Sequence, residues 1–189
     1  QRPGFKVAPY LLSITETSAT IAFHLHQVQP AEATVFDGDL VRRFAAPQPA
    51  TAHFIPVKGL SPSCTYRYSV LAGDARTPPE DAAYQIKTAG PPGDGFHFVV
   101  YGDPRPGESG THRHHQAIVA EAAGLEPFFS VILGDMVDAG DNWQLWEDFF
   151  AIEAPLISKA AVYPVMGDND RGELAGRFFP KLKKGYYRF

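Results

Sequence analysis

Three apolar runs in this chain each end at the dipeptide Gly-Asp: FHFVVYGD at Asp103, FFSVILGD at Asp135 and AAVYPVMGD at Asp168. These aspartates lie 32 and 33 positions apart. That is room for a strand, a helix and their loops, the spacing of consecutive parallel strands joined by crossover helices. It predicts all three carboxylates at one edge of a sheet, the edge where open α/β folds bind ligands, with glycine letting the chain turn sharply as each strand stops. Gathered carboxylates repel one another unless a proton or a cation intervenes. Hard oxygen donors at strand ends suit manganese, magnesium, iron or zinc, so the first expectation is a metal site.

The elements that must position these residues follow from the pattern around them. From residue 96 onward, strand and helix alternate: strand 96–103, a helix from about Thr111 to Ala123, strand 128–134, a helix from about Asn142 to Ile157, and strand 161–166. Thr111 is the expected cap of the first helix, Ala117, Ile118 and Ala122 its apolar side, and Gly124 its stop. In the second helix, Trp143, Trp146, Phe149, Phe150 and Ile152 read as core packing. Residues 5 to about 88 have another rhythm. Short alternating segments such as ATIAFHLHQV, TAHFIPVKGL and TYRYSVLAG, broken by Pro, Gly, Ser and Asp, predict an all-β sandwich. In GLSPSCTYRYSV, Tyr66 stands where a tyrosine corner would tie a strand to its preceding loop, with Leu60 in the core and Tyr68 facing the same way. The Pro/Gly run AGPPGDG, residues 89–95, separates the two regimes, giving units 1–90 and 91–189.

Composition narrows the classes. With 44% hydrophobic and 13% aromatic residues, the 189-residue chain is expected to fold. A formal charge of −4 offers no general attraction to nucleic acid, and no run reaches the about 18 apolar residues of a membrane-spanning helix. Cys64 is the only cysteine, cannot form an internal disulfide, and reads as buried filler. The segment RFFPKLKKGYYRF ends in the pattern of a further strand. A three-stranded parallel sheet exposes an apolar face, so the sequence reads as part of a longer chain whose second unit is about half built. Lys181, Lys183, Lys184 and Arg188 form a basic cluster there, expected on a solvated hairpin face.

The series G-D-P-R at 102–105, G-D-M-V-D at 134–138 and G-D-N-D at 167–170 resembles the motifs of calcineurin-like metallophosphoesterases, which read Asp-x-His, Gly-Asp and Gly-Asn-His-Asp/Glu. The preceding fibronectin type III-like sandwich and the order of parts resemble the purple acid phosphatase arrangement. The resemblance implies a sandwich followed by an incomplete α/β metallophosphoesterase domain. It also implies two divalent or trivalent metal ions (manganese, iron or zinc), with Asp103 on the first and Asp135 bridging both. The expected activity is hydrolysis of a phosphate ester by a metal-bound hydroxide.

Departures from the pattern carry as much information. Arg105 replaces the first motif's ligand His, and a guanidinium has no lone pair for a metal. It is expected either to clamp a pair of phosphate oxygens or to bridge to a neighbouring carboxylate. Nearby THRHH supplies His112, His114 and His115, of which His112, in the first helical turn, is the expected replacement ligand. Asp168 replaces the third motif's Asn and keeps a metal-ligand role. Asn169 replaces its His and can hydrogen-bond phosphate but cannot deliver a proton at neutral pH. Asp138 takes the place of the colour-giving Tyr of purple acid phosphatases, so no purple band is expected, and it reads as a turn residue with Gly140 or an outer-shell partner. The competing expectation is a degenerate, non-catalytic binding or scaffold protein. The sandwich unit is expected to offer a surface to a carbohydrate or protein partner, and by family analogy the protein is expected outside the cell or in the periplasm.

Overall fold

The computed structural model describes residues 4–78, 84–106 and 110–181. The expected strand GYYRF, with Lys183, Lys184 and Arg188, lies outside the described residues. Strands β1 (Phe5–Leu12), β2 (Ser18–Gln29) and β5 (Ala50–Lys58) pair antiparallel in the order β5-β2-β1. Against them stand β4 (Leu40–Ala45), β3 (Ala31–Asp37), β6 (Thr65–Ala72) and β7 (Ala75–Thr77), with β8 (Tyr84–Lys87) also paired to β6. Alternation explains the core between these sheets: Tyr66, Tyr68, Val70 and Ala72 of β6 point inward with Ile21 and Phe23 of β2 and Ile55 and Val57 of β5. The tyrosine corner is present, with the Ser61 N–H donating to the Tyr66 hydroxyl at 2.8 Å beside buried Leu60. Cys64 packs, partly buried, against the same core.

After the loop at 89–95 come β9 (Phe98–Tyr101), α1 (Arg113–Gly124), β10 (Phe129–Leu133), α2 (Trp143–Ile157), β11 (Ala161–Val165) and the short α3 (Glu173–Phe178). The three strands are parallel in the order β11-β10-β9. β1 also pairs in parallel with β11, through Leu11 and Ala161, so one six-stranded sheet, β5-β2-β1-β11-β10-β9, runs through both halves. A second core forms where Val7, Tyr10 and Ala22, on the outer face of β1 and β2, meet Trp146, Phe149 and Phe150 of α2, Phe178 of α3 and the adjacent Phe179. Each such aromatic contributes about 1.5–3 kcal/mol by leaving water. Two buried hydroxyls are satisfied across the join: Tyr10 donates to the Phe178 carbonyl at 2.7 Å and Tyr68 to the Ser158 carbonyl at 3.1 Å.

The helices correct the sequence reading in part. α2 starts at Asn142, whose side chain accepts from the Gln144 N–H at 3.0 Å, and its Trp146, Phe149 and Phe150 are core residues as expected. α1 has His112 rather than Thr111 at its N-cap position, with no capping bond from the His112 side chain, and it buries His115, Val119 and Ala122 while Ala117 and Ile118 face solvent. The buried side is set by α2, where Glu153 receives His115. Gly124 is the last helical residue, and the left-handed turn falls on Glu126 (φ 50°). On the opposite face of the parallel strands, Phe98, Val100, Leu133 and Val165 are exposed. Among the described residues, no helix is long and apolar enough to cross a membrane.

Candidate functional site

Because β9, β10 and β11 are parallel, the segments that follow them meet at one edge and are sewn together by backbone bonds. Asp103 N–H donates to the Gly134 carbonyl (3.1 Å), Arg105 N–H to the Asp135 carbonyl (3.3 Å), and Gly140 N–H to the Asn169 carbonyl (2.8 Å). The approach is close enough to require glycine. Gly134 has φ +81°, and a Cβ on it would stand 2.6 Å from the Gly167 nitrogen, while a Cβ on Gly167 would strike the Asp135 carboxylate. Asp103 and Asp135 themselves adopt left-handed backbones (φ 50° and 52°), a conformation Asp tolerates better than most residues and one that concentrates at functional sites.

Asp135 is the centre of the arrangement. Its Oδ2 accepts from Arg105 Nε at 3.1 Å and from Asn169 Nδ2 at 2.8 Å, and its Oδ1 accepts from the Asn169 N–H at 3.3 Å. Burial alone would push its pKa up, but the Asn169 hydrogen bonds and the Arg105 charge outweigh it and hold the carboxyl below the usual range. Arg105 reaches a second carboxylate, donating from Nη1 to Asp138 Oδ1 at 3.1 Å. Hydrogen bonding to Asp138 is the main cause of its raised pKa. Of the two expectations for Arg105, the carboxylate bridge is the one present, and Asp138 is its second anchor rather than a turn residue alone.

Asp170 is fully buried, and the sequence reading missed its role. One carboxylate oxygen accepts from the N–H groups of Met136 (2.8 Å) and Val137 (3.2 Å), the other from Gly167 (2.9 Å), which clamps two of the three site loops together. Burial raises its pKa against those donors, but with no exposed surface it is a clamp, not an acid facing a ligand. The repeated Asp in G-D-N-D was the available signal. A second buried network lies beneath. Tyr101, two residues before Asp103, donates to both oxygens of Glu153 (2.8 and 2.7 Å), and His115 Nε2 lies 2.7 Å from Glu153 Oε1. His115 is thereby engaged within the fold.

Asp103 and Asp168 are exposed, and neither side chain has a partner among the described residues. His112 stands at the head of α1 with its Nδ1 buried and, among the described residues, lacking a hydrogen-bond partner. Among the described residues, no three His, Cys, Asp or Glu side chains converge on one ion position. The open carboxylates of Asp103 and Asp168, the Asp135 carboxylate and the His112 ring nitrogen are each a donor type that metals accept, but they do not converge here. What stands in the way at the centre is Arg105.

The fold is like that of solved structures that include a purple acid phosphatase. Among solved structures, the chain is similar to the purple acid phosphatase PPD1 from yellow lupin (Lupinus luteus) seeds, with a TM-score of 0.74 and 15% identity over 100% of this chain and 41% of that one. It is also similar to PhoD, with a TM-score of 0.67 and 14% identity over 88% of this chain and 39% of that one. The chain spans about two fifths of the length of these structures. At such identities the likeness is one of fold. No family model matches the sequence, and no curated protein matches it.

Proposed function

We propose that this chain carries part of the active site of a metal-dependent phosphoesterase. The observation that supports the reading most is the open pair Asp103 and Asp168 flanking an ionised Asp135 at the carboxyl edge of a phosphoesterase-type fold. Asp103, Asp135, Asp168 and His112 would hold manganese, iron or zinc. When bound, the metal would supply Lewis acidity and offset the charge of the phosphoryl group. The remaining work falls to this chain's own groups. Asn169 Nδ2 offers a neutral N–H to a phosphate oxygen, and Arg105 carries a planar fork suited to two such oxygens. Neither group gives up a proton at neutral pH, so the leaving group must depart without help from them.

The test is release of p-nitrophenol from p-nitrophenyl phosphate by the 189-residue chain with each metal added in turn. The Asp135→Asn variant, which keeps the shape but turns one acceptor oxygen into a donor facing N–H groups, should lose ~100-fold in turnover, with its melting curve read alongside to check the fold. Undiminished turnover in that variant would sink the assignment. A second reading, a phosphate-ester binder without turnover, is favoured by the Arg105–Asp135 pair, which occupies the would-be metal bridge. It gains ground if the wild-type chain binds but does not hydrolyse the ester with any of the metals.

A further inference from the structure

We infer that the bare face of β9, β10 and β11 is the surface through which two copies of this chain pair as a symmetric dimer. The strand register puts Phe98, Val100, Leu133 and Val165 on one face. The sandwich core covers only the part of that face nearest Phe129 and Tyr163. Phe96, Phe98, Val100, Leu133 and Val165 are left between 47% and 62% exposed. The aromatic end of the patch has a fixed shape: the Phe98 and Phe129 rings stack at 4.7 Å, and Phe96 lies 5.8 Å from Phe129 and 6.3 Å from Phe98. Rings that already hold one another lose little freedom on docking.

The edges of the sheets differ in how they are guarded. β5, at one end of the long sheet, exposes Pro56 and Lys58, and β4, at the end of the second sheet, carries Arg42 and Arg43. Proline and charge on an edge strand discourage contact with other chains. β9, at the other end of the long sheet, has neither. The area favours a second copy as the occupant. The five side chains present roughly 450 Å² of apolar surface, so two copies face to face cover about 900 Å², the apolar share of an interface of about 1,400 Å², within the range of stable dimers. The chain has a formal charge of −4, and an uncharged patch lets two copies meet without bringing like charges together there. Leu133 and Val165 lie one and two residues before Gly134 and Gly167, so the interface runs up to the strand-end site and the second copy walls one side of it.

Sedimentation equilibrium of the 189-residue chain between about 1 and 100 μM tests this, in wild type, Val100→Lys, Leu133→Lys and the control Leu40→Lys, an exposed position on β4. Wild type and the control should sediment at twice the chain mass. Each patch variant should weaken the dimer ~100-fold or more, since its charge enters the interface twice. Leu133→Lys covers the case in which the edge-strand variant fails to fold, and melting curves identify the folded proteins. A dimer that survives both folded patch variants overturns the assignment to this face. A wild-type monomer overturns the second copy as occupant: strong binding of a hydrophobic dye would show the face bare, and weak binding would show it covered by the chain's own residues.

Discussion

Asn169 and Asp170 sit side by side and divide two tasks that the same short motif has to perform. Asn169 faces the site, and the physical difference between its amide and an imidazole is a titratable proton. If the protein hydrolyses esters, Asn169→His should raise the rate on an alkyl phosphate by ~10²-fold or more while changing that on p-nitrophenyl phosphate little, because only the poor leaving group needs a proton. Equal gains on both substrates would count against an acid role at this position. Asp170 points inward, and Asp170→Ala would strand the N–H groups of Met136, Val137 and Gly167 in a buried setting. We expect a loss of about 3 kcal/mol, on the order of 10 °C in Tm by calorimetry. Asp168→Ala, at an exposed carboxylate, should stay within about 0.5 kcal/mol. The two variants together separate the clamp from the open ligand.

At the level of elements, the strand-end loops work because three parallel strands stop in register and two glycines let their exits touch. Gly134→Ala forces a side chain into a left-handed backbone and against the Gly167 nitrogen, so more than about 2 kcal/mol of stability should be lost in urea unfolding. A neutral result would mean that the loops separate freely. Much of this level was legible in the sequence. Gly-Asp after an apolar run marks a strand end, the 32- and 33-residue intervals require a crossover, and the Leu60 to Tyr68 stretch carries its corner in plain residue types. What could not be read was partnership across distance. Nothing near Arg105 says that its fork meets Asp135 and Asp138, because that depends on where two loops cross. The buried side of α1 was misjudged for the same reason: His115 is polar by type, yet Glu153 and Tyr101 make the interior acceptable to it. The β1 to β11 pairing rests on a single register contact, Leu11 with Ala161, and leaves no local pattern at all.

For the molecule as a whole, the join between sandwich and α/β layer contains a group that ties its stability to pH. His24 of β2 is 3% exposed and ringed by Phe54, Trp143 and Phe178, with its Nε2 unpartnered among the described residues. Burial, then the nearby His53, Lys6 and Arg177, lowers its pKa to about 3. His53 is lowered as well, chiefly by burial, against hydrogen bonds to the Ala50 and Gln29 carbonyls. The sign follows from proton counting. Below pH ~6.5 the unfolded chain takes up protons on these imidazoles and the folded chain does not, so stability is full above that pH and falls as the pH drops towards the folded value. His24 alone gives a slope of about 1.4 kcal/mol per pH unit in that window, or about 2 kcal/mol between pH 7 and pH 5. The low pKa of Asp135 adds its loss only further into acid, and Asp170, raised by burial, works in the opposite sense as it takes up its proton. Urea titrations of wild type and His24→Leu at both pH values isolate the term. The variant should be at least as stable at pH 7, since an unpaired buried nitrogen is gone, and should lose most of the wild-type decline at pH 5. An equal decline in both proteins would mean that the join opens to water before His24 is protonated, and that the second core is a looser contact than its aromatic packing implies.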